Sequence, residues 1–221
     1  MRKTTSLFVG CLLSASVLAA TNSWADDDMV TYQISVTNAT QRQPFAPIMA
    51  VTHRPGLSFF KLGDAPSDEL AQLAEAGNGK PMAIKLAAMP EVSDAQVYTG
   101  GLTLPGTTST MTIMAKRGMD RISVGAMLGA TNDAFMAIVD MPLPRGHHKV
   151  TYTADVYDAG SETNDELKTT VLGLRGQGYS PQDMGEGFVH VHPGVRGDAE
   201  LPLVMDWRNP AAEIVIERVS H

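Results

Sequence analysis

Cysteine is almost absent. The chain has one in 221 residues, Cys11, and it falls in an apolar N-terminal stretch. Past that stretch no disulfide can close a loop and no thiol can act as a nucleophile, so burial has to hold the fold together. Positive charge is also short, with 17 Lys and Arg against 24 Asp and Glu and a formal net charge of −7. An acidic chain is poorly suited to nucleic acid or anionic lipid, and its field concentrates cations instead. After the N-terminal stretch no apolar run nears the ~20 residues that cross a bilayer. There is no Gly-x-Ser-x-Gly elbow, no His-Glu-x-x-His helix and no phosphate-cradling glycine loop. No catalytic role is therefore expected, and a hydrolase is the last of three readings. No internal repeat or low-complexity linker divides residues 26–221, which read as one domain.

Arg2 and Lys3, the mostly apolar residues 7–20 and Ser23-Trp24-Ala25 have the layout of a signal peptide over residues 1–25. The chain is expected to be exported, to the periplasm or beyond the cell. Cleavage before Cys11 as a lipoprotein would leave too short an apolar region ahead of the cut.

The remainder is rich in strand patterns. Tyr32, Ile34 and Val36 alternate with polar neighbours, and residues 48–52 read as a second strand. Further strands are expected around residues 96–98, 101–104, 109–113, 121–124, 135–139, 149–154, 188–192 and 212–219. Two short helices interrupt them. Ser67 caps the first, Asp68 and Glu69 suit its first turn, and Gly77-Asn78-Gly79 ends it; Pro81 opens the second. The pattern predicts an all-β fold, an antiparallel two-sheet β-sandwich with one or two short helices inserted between strands.

Most of the chemistry lies in Tyr157-Asp158-Ala159-Gly160-Ser161-Glu162-Thr163-Asn164-Asp165-Glu166. Several oxygen ligands on a turning backbone suit a hard cation such as calcium, although the spacing is not that of an EF-hand. The plainer reading is a solvated acidic loop. Asp133 precedes another strand, in Thr131-Asn132-Asp133-Ala134-Phe135. A sandwich gathers its loops at its ends, so Asp133, Asp158 and Glu162 are expected to converge on one calcium ion, with Asn132, Asp165 and Glu166 as supporting or alternative ligands. Asn132 and Asp133 can equally be turn formers. His190-Val191-His192 places two imidazoles on one strand face. With His53 they form the alternative, a periplasmic zinc or copper site, set against histidines that only satisfy buried polar groups. Met111, Met114 and Met119 read as core filler before a copper surface.

Five stretches in order resemble the spondin N-terminal domain. They are the acidic segment above, Gln43-Pro44-Phe45 with Thr52-His53, and Met127-Leu128 through Phe135. The fourth is Gly187-Phe188-Val189-His190-Val191-His192-Pro193-Gly194 and the fifth Asp206-Trp207-Arg208-Asn209-Pro210-Ala211-Ala212. That family occurs in animal matrix proteins and alone in exported bacterial proteins. The resemblance implies a sandwich similar to C2 domains, a calcium ion and a role in adhesion. The family's ligating aspartates correspond to Asp133, Asp158 and Glu162, where Glu162 replaces an aspartate. A one-residue displacement before Asp140 leaves that residue without an assigned part. The expected partner is a protein or a surface glycan.

Overall fold

The computed structural model describes residues 29–146 and 148–220; the expected signal peptide, Cys11, residues 26–28 and His147 lie outside the described residues. Nine strands and two helices follow one another as β1 (Met29–Asn38), β2 (Met49–His53), α1 (Asp68–Ala76), α2 (Lys80–Ala87), β3 (Val92–Val97), β4 (Thr108–Lys116), β5 (Arg121–Met127), β6 (Ala134–Pro142), β7 (Lys149–Asp158), β8 (His190–Val191) and β9 (Ala212–Ser220). The strands hydrogen-bond in the order β3-β2-β5-β6-β7-β9-β1-β4, every pairing antiparallel, and the two-residue β8 adds to β7.

The sheet is nearly closed and barrel-like, where the sequence pattern predicts two separate sheets. The cause is β7. Its first part, residues 149–154, pairs with β9, and residues 155–158 pair with β6. One long strand thus belongs to both halves and makes them continuous. Between β3 and β4 no ladder forms. Side chains bridge instead: the Met114 N–H donates to Asp94 Oδ2 at 3.0 Å and the Lys116 N–H to Ser93 Oγ at 2.7 Å, while Thr52 reaches over from β2 to donate to the Met114 carbonyl at 2.6 Å.

Alternation sorts the side chains. Ile34, Val36, Ile113, Val156, Ile214 and Ile216 point into the barrel and meet Phe45 and Trp207 from loops. The β2 to β6 half is buried on both faces. Ile122, Val124 and Met136 face inward, while Met49, Val51, Phe135 and Ala137 face outward beneath the helices. That double burial explains the unbroken apolar run 135–139. Helix α1 forms as the sequence predicts: Ser67 Oγ accepts the Leu70 N–H, and Gly77 ends the helix with φ 62°. Leu70, Leu73, Met82 and Leu86 cover the outer face, each burial contributing about 1.5–3 kcal/mol. The helices are an insertion packed on the sheet. The first and last strands pair along β1 and β9, as two short amphipathic strands must to bury their apolar faces.

Strand expectations fail in two places. Residues 101–104 supply only a single bridge, Thr103 to Phe45. Of residues 188–192 only His190 and Val191 pair with β7; Val189 exchanges backbone bonds with Gly63 and Asp64, and beyond Val191 the Val156 N–H is taken by Asn209 Oδ1.

Candidate cation site

Ala134 opens β6 opposite Asp158, which closes β7. The turn before β6 and the acidic loop after β7 therefore share one end of the barrel, as the sequence predicts. The loop bends at Gly160, with φ 66°; a Cβ there would stand 2.2 Å from the Phe188 carbonyl oxygen, so only glycine fits. Asp133 folds over the returning chain. Its Oδ2 accepts the N–H groups of Ser161 at 2.8 Å and Glu162 at 3.1 Å, and the Ser161 hydroxyl at 3.3 Å. Asp158 Oδ1 accepts the Gly160 N–H at 2.7 Å, and Asn164 donates to its Oδ2.

Asp133, Asp158 and Glu162 are thus brought together, all essentially buried. Asp133 Oδ1 and Glu162 Oε2 have no hydrogen-bond partner. Burial costs a carboxylate its hydration and disfavours the charged form. It raises the Asp133 pKa well above the ordinary carboxyl range, with the Asp158 charge adding to the effect, and it raises Asp158 too. Glu162 is pushed up to about 9, by burial first and then by Glu75, Asp133, Asp183 and Asp165, all negative.

The supporting ligands expected nearby are committed elsewhere. Asn132 Nδ2 donates to Asp165 Oδ1 and to Thr170 Oγ1, both at 3.1 Å, and Asp165 Oδ1 also takes the Leu167 N–H and the Thr170 hydroxyl. Glu166 accepts the N–H groups of Arg196 and Gly197, one on each oxygen. These three build the loop walls.

The three-histidine arrangement is not formed. His53 pairs opposite Arg121, and Arg121 opposite Pro142, at the far end of β6 from Ala134. It is fully buried, with Nδ1–H directed at the Arg54 carbonyl at 2.7 Å and Nε2 accepting the Ser123 hydroxyl at 2.9 Å. Asp140 Oδ1 stands 4.0 Å from His53 Nδ1, so Ser, His and Asp line up as in a hydrolase. Ser123 is fully buried as well, and its oxygen accepts the Asp140 N–H at 3.0 Å, a hydroxyl engaged on both sides and shut off from solvent.

His190 and His192 do share a face, and each Nε2 lies 3.7 Å from Asp158 Oδ2. Their tautomers differ. His190 Nδ1–H points to the Phe188 carbonyl at 3.2 Å, leaving Nε2 with its lone pair. His192 Nδ1 accepts the Gly194 N–H at 2.9 Å, so Nε2 carries the proton. His192 packs on Trp207, and burial pushes its pKa down to about 3.

Glu75 was not foreseen. It comes from α1 and is buried, and its Oε2 accepts the Ser180 N–H at 2.6 Å. Burial raises its pKa, and the Ser161 hydroxyl is within its reach. A signal was available: Glu75 is an acid in the last turn of a helix, where the dipole favours bases, and it follows buried Ala71 by four residues.

Cavities open on two sides of the cluster. One of about 90 Å³ is lined by Asn164, Glu186, His190 and His192, and another of about 230 Å³ by Glu75, Ser161, Tyr179 and Asp183. Among the described residues, no three His, Cys, Asp or Glu side chains stand at the spacing of a finished coordination shell. A cation would have to draw the carboxylates closer together. Compared with protein-family models and with curated proteins, the chain matches none.

Proposed function

We propose that the chain is an exported, calcium-binding interaction module, a spondin-like single domain in which two C2-like half-sheets carry a cation site at one end. Asp133, Asp158 and Glu162 would hold the ion, and calcium would supply the positive charge that lets all three stay ionised. The observation that carries this reading is the pair of buried carboxylate oxygens, Asp133 Oδ1 and Glu162 Oε2, without hydrogen-bond donors. A buried carboxylate oxygen without a donor costs several kcal/mol unless a proton or a cation meets it. All-oxygen donors favour calcium over zinc or copper. Loops gathered around the ion would then present a cation-dependent surface to a protein or a surface glycan.

The test is a thermal melt of the parent and of Asp158→Asn, each with calcium and with chelator. Calcium raises the parent melting temperature, magnesium does less because it gives up water reluctantly, and the variant loses most of the shift. A parent that melts identically in millimolar calcium and in chelator overturns the proposal.

One observation favours a second reading, a transition-metal site. Both imidazole Nε2 atoms stand equally close to Asp158 Oδ2, so the set would be Asp158, His190 and His192, without His53. His192 would first have to surrender its bond from Gly194 to free a nitrogen lone pair on the site side. Zinc binding at one ion per chain, lost in His190→Ala, would establish it; zinc binding that survives His190→Ala would remove it.

A further inference from the structure

We infer that the cavity beside His190 and His192 is a carbohydrate subsite, which takes one edge of a neutral sugar through its hydroxyl groups. The inference names the partner chemistry of the interaction-module reading, on which its biological role rests, while the sugar contacts need no bound calcium. It starts from a buried donor. His192 Nδ1 accepts the Gly194 N–H at 2.9 Å and the ring packs on Trp207 with centroids 4.9 Å apart, which leaves the proton on Nε2. The side chain is only 5 % exposed, and Nε2 has no hydrogen-bond partner. Buried polar groups are ordinarily paired, so this N–H points to a ligand atom that accepts. His190 offers the opposite. Its Nδ1–H goes to the Phe188 carbonyl, so Nε2 presents a lone pair. Both Nε2 atoms lie 3.7 Å from Asp158 Oδ2. Asn164 Nδ2 meets that same oxygen and also donates to Glu186 Oε1 at 3.2 Å. His190, His192, Asn164 and Glu186 all line the cavity.

This lining disfavours ions of either sign. An anion would meet Glu186, and Arg196 does not offset it, because its Nε stands 3.3 Å from Asp198 and 4.0 Å from Glu166. A metal ion would meet the His192 N–H unless that ring gave up its bond from Gly194. A neutral group has to accept from one imidazole and donate to the other, and a hydroxyl does both with a single oxygen. A peptide amide divides the two roles between two atoms. One water needs roughly 10–15 Å³, so a cavity of about 90 Å³ has room for more than one hydroxyl. Pro193, Val195 and Leu201 give the cavity an apolar wall. Phe188, 45 % exposed, stacks on His190 with ring centroids 5.2 Å apart. Apolar walls with a few convergent polar groups suit a sugar, whose C–H face and hydroxyl edge lie side by side.

Nuclear magnetic resonance of the histidine rings tests this on the parent chain. The probes are glucose, mannose, galactose and N-acetylglucosamine, each added in calcium and in chelator. The expected result is a saturable shift of the His190 and His192 ring signals by at least one sugar, in both buffers. Glu186→Ala and His190→Phe should each weaken that binding about tenfold. Glu186 is exposed, and phenylalanine keeps the stacking on Phe188, so neither change disturbs the core. Ring signals that none of the four sugars moves overturn the inference, and this parent result decides even if a variant fails to fold. A shift that both variants leave unchanged overturns it as well, since the sugar then binds elsewhere. A response to N-acetylasparagine amide and to no sugar overturns it in favour of a peptide. The calcium reading is judged separately: sugar binding without a calcium shift in melting keeps the subsite and removes the ion, and the converse removes the subsite alone.

Discussion

The two ends of β6 each bury a polar cluster, and the clusters are composed differently. At the Pro142 end, His53, Ser123, Arg121 and Asp140 combine a neutral ring, a hydroxyl, a base and an acid. Ser123 is bonded on both sides, and Arg121 Nε and Asp140 Oδ1 stand 4.0 Å apart with opposite charge. At the Ala134 end, Glu75, Asp133, Asp158 and Glu162 are all acids. Folding balances the first cluster in charge, with Arg121 beside Asp140, although Arg121 Nε and Asp140 Oδ1 also lack a hydrogen bond. The second is made of acids only, with no base to balance them, so folding leaves it needing protons or a cation from solvent. Burial of polar groups by itself says little about function; the balance of charge within the burial says more.

The largest expected effect is at the charge-balanced end. His53→Ala removes the ring and leaves the Ser123 hydroxyl and the Arg54 carbonyl without their partner, at a cost of about 3 kcal/mol. Chemical denaturation should give the same loss in calcium and in chelator. A loss that depends on calcium would mean the two ends are coupled and would break the comparison.

Next is Asp133→Asn at the acidic end. In chelator it should be nearly neutral, because the amide oxygen can still accept the Ser161 and Glu162 N–H groups. At free calcium ~100 times the dissociation constant it should forfeit about 2.7 kcal/mol relative to the parent. Equal losses in both buffers would show that Asp133 is only a turn former.

Histidines and acids should respond to pH in opposite senses. Burial lowers the pKa of His53 and, at the acidic end, that of His192 to about 3, so the unfolded chain takes up those protons first and stability falls as pH drops below about 6.5. Glu162 is the reverse, with a folded pKa of about 9 against an ordinary 4.5. The folded chain holds that proton longer, so in chelator stability falls as pH rises from about 4.5 toward 9. Calcium should flatten the alkaline limb and leave the acid limb unchanged. Melting curves across pH 4 to 9 would read both limbs, and a chelator profile without the alkaline decline would remove the strain attributed to Glu162.

The smallest effect is a reference point. Lys85 and Glu69 form a partly exposed ion pair at 2.7 Å, and Lys85→Ala should cost less than about 1 kcal/mol, with or without calcium. A larger change would mean that α1 responds to any loss of charge.

Local elements were legible in the sequence because they rest on local rules. Ser67 and Gly77 bound α1, and alternation in β1 and β9 sets their buried faces. The meeting of Asp133 with the acidic loop was also readable, since both flank strand ends. What depends on partner choice was not. Nothing in residues 149–158 marks the point where β7 changes neighbours, and that change makes the halves continuous. His53 shares a residue type with His190 and His192, but the register that sends it to the opposite end is set by β5 and β6. Glu75 lay in a segment read for its caps and its apolar face, so its chemistry went unread.

The side-chain bridges between β3 and β4 have a consequence for molecules that meet in solution. An open strand edge is a template on which a second chain can extend the sheet, which is how many β proteins aggregate. Here Asp94 and Ser93 already occupy the Met114 and Lys116 N–H groups, and Thr52 occupies the Met114 carbonyl. An incoming strand would have to displace these three bonds before it gained its own. The seam resembles a row of buttons more than a welded join: it can loosen without the rest of the sheet losing register, and while fastened it offers a neighbouring copy little to grip.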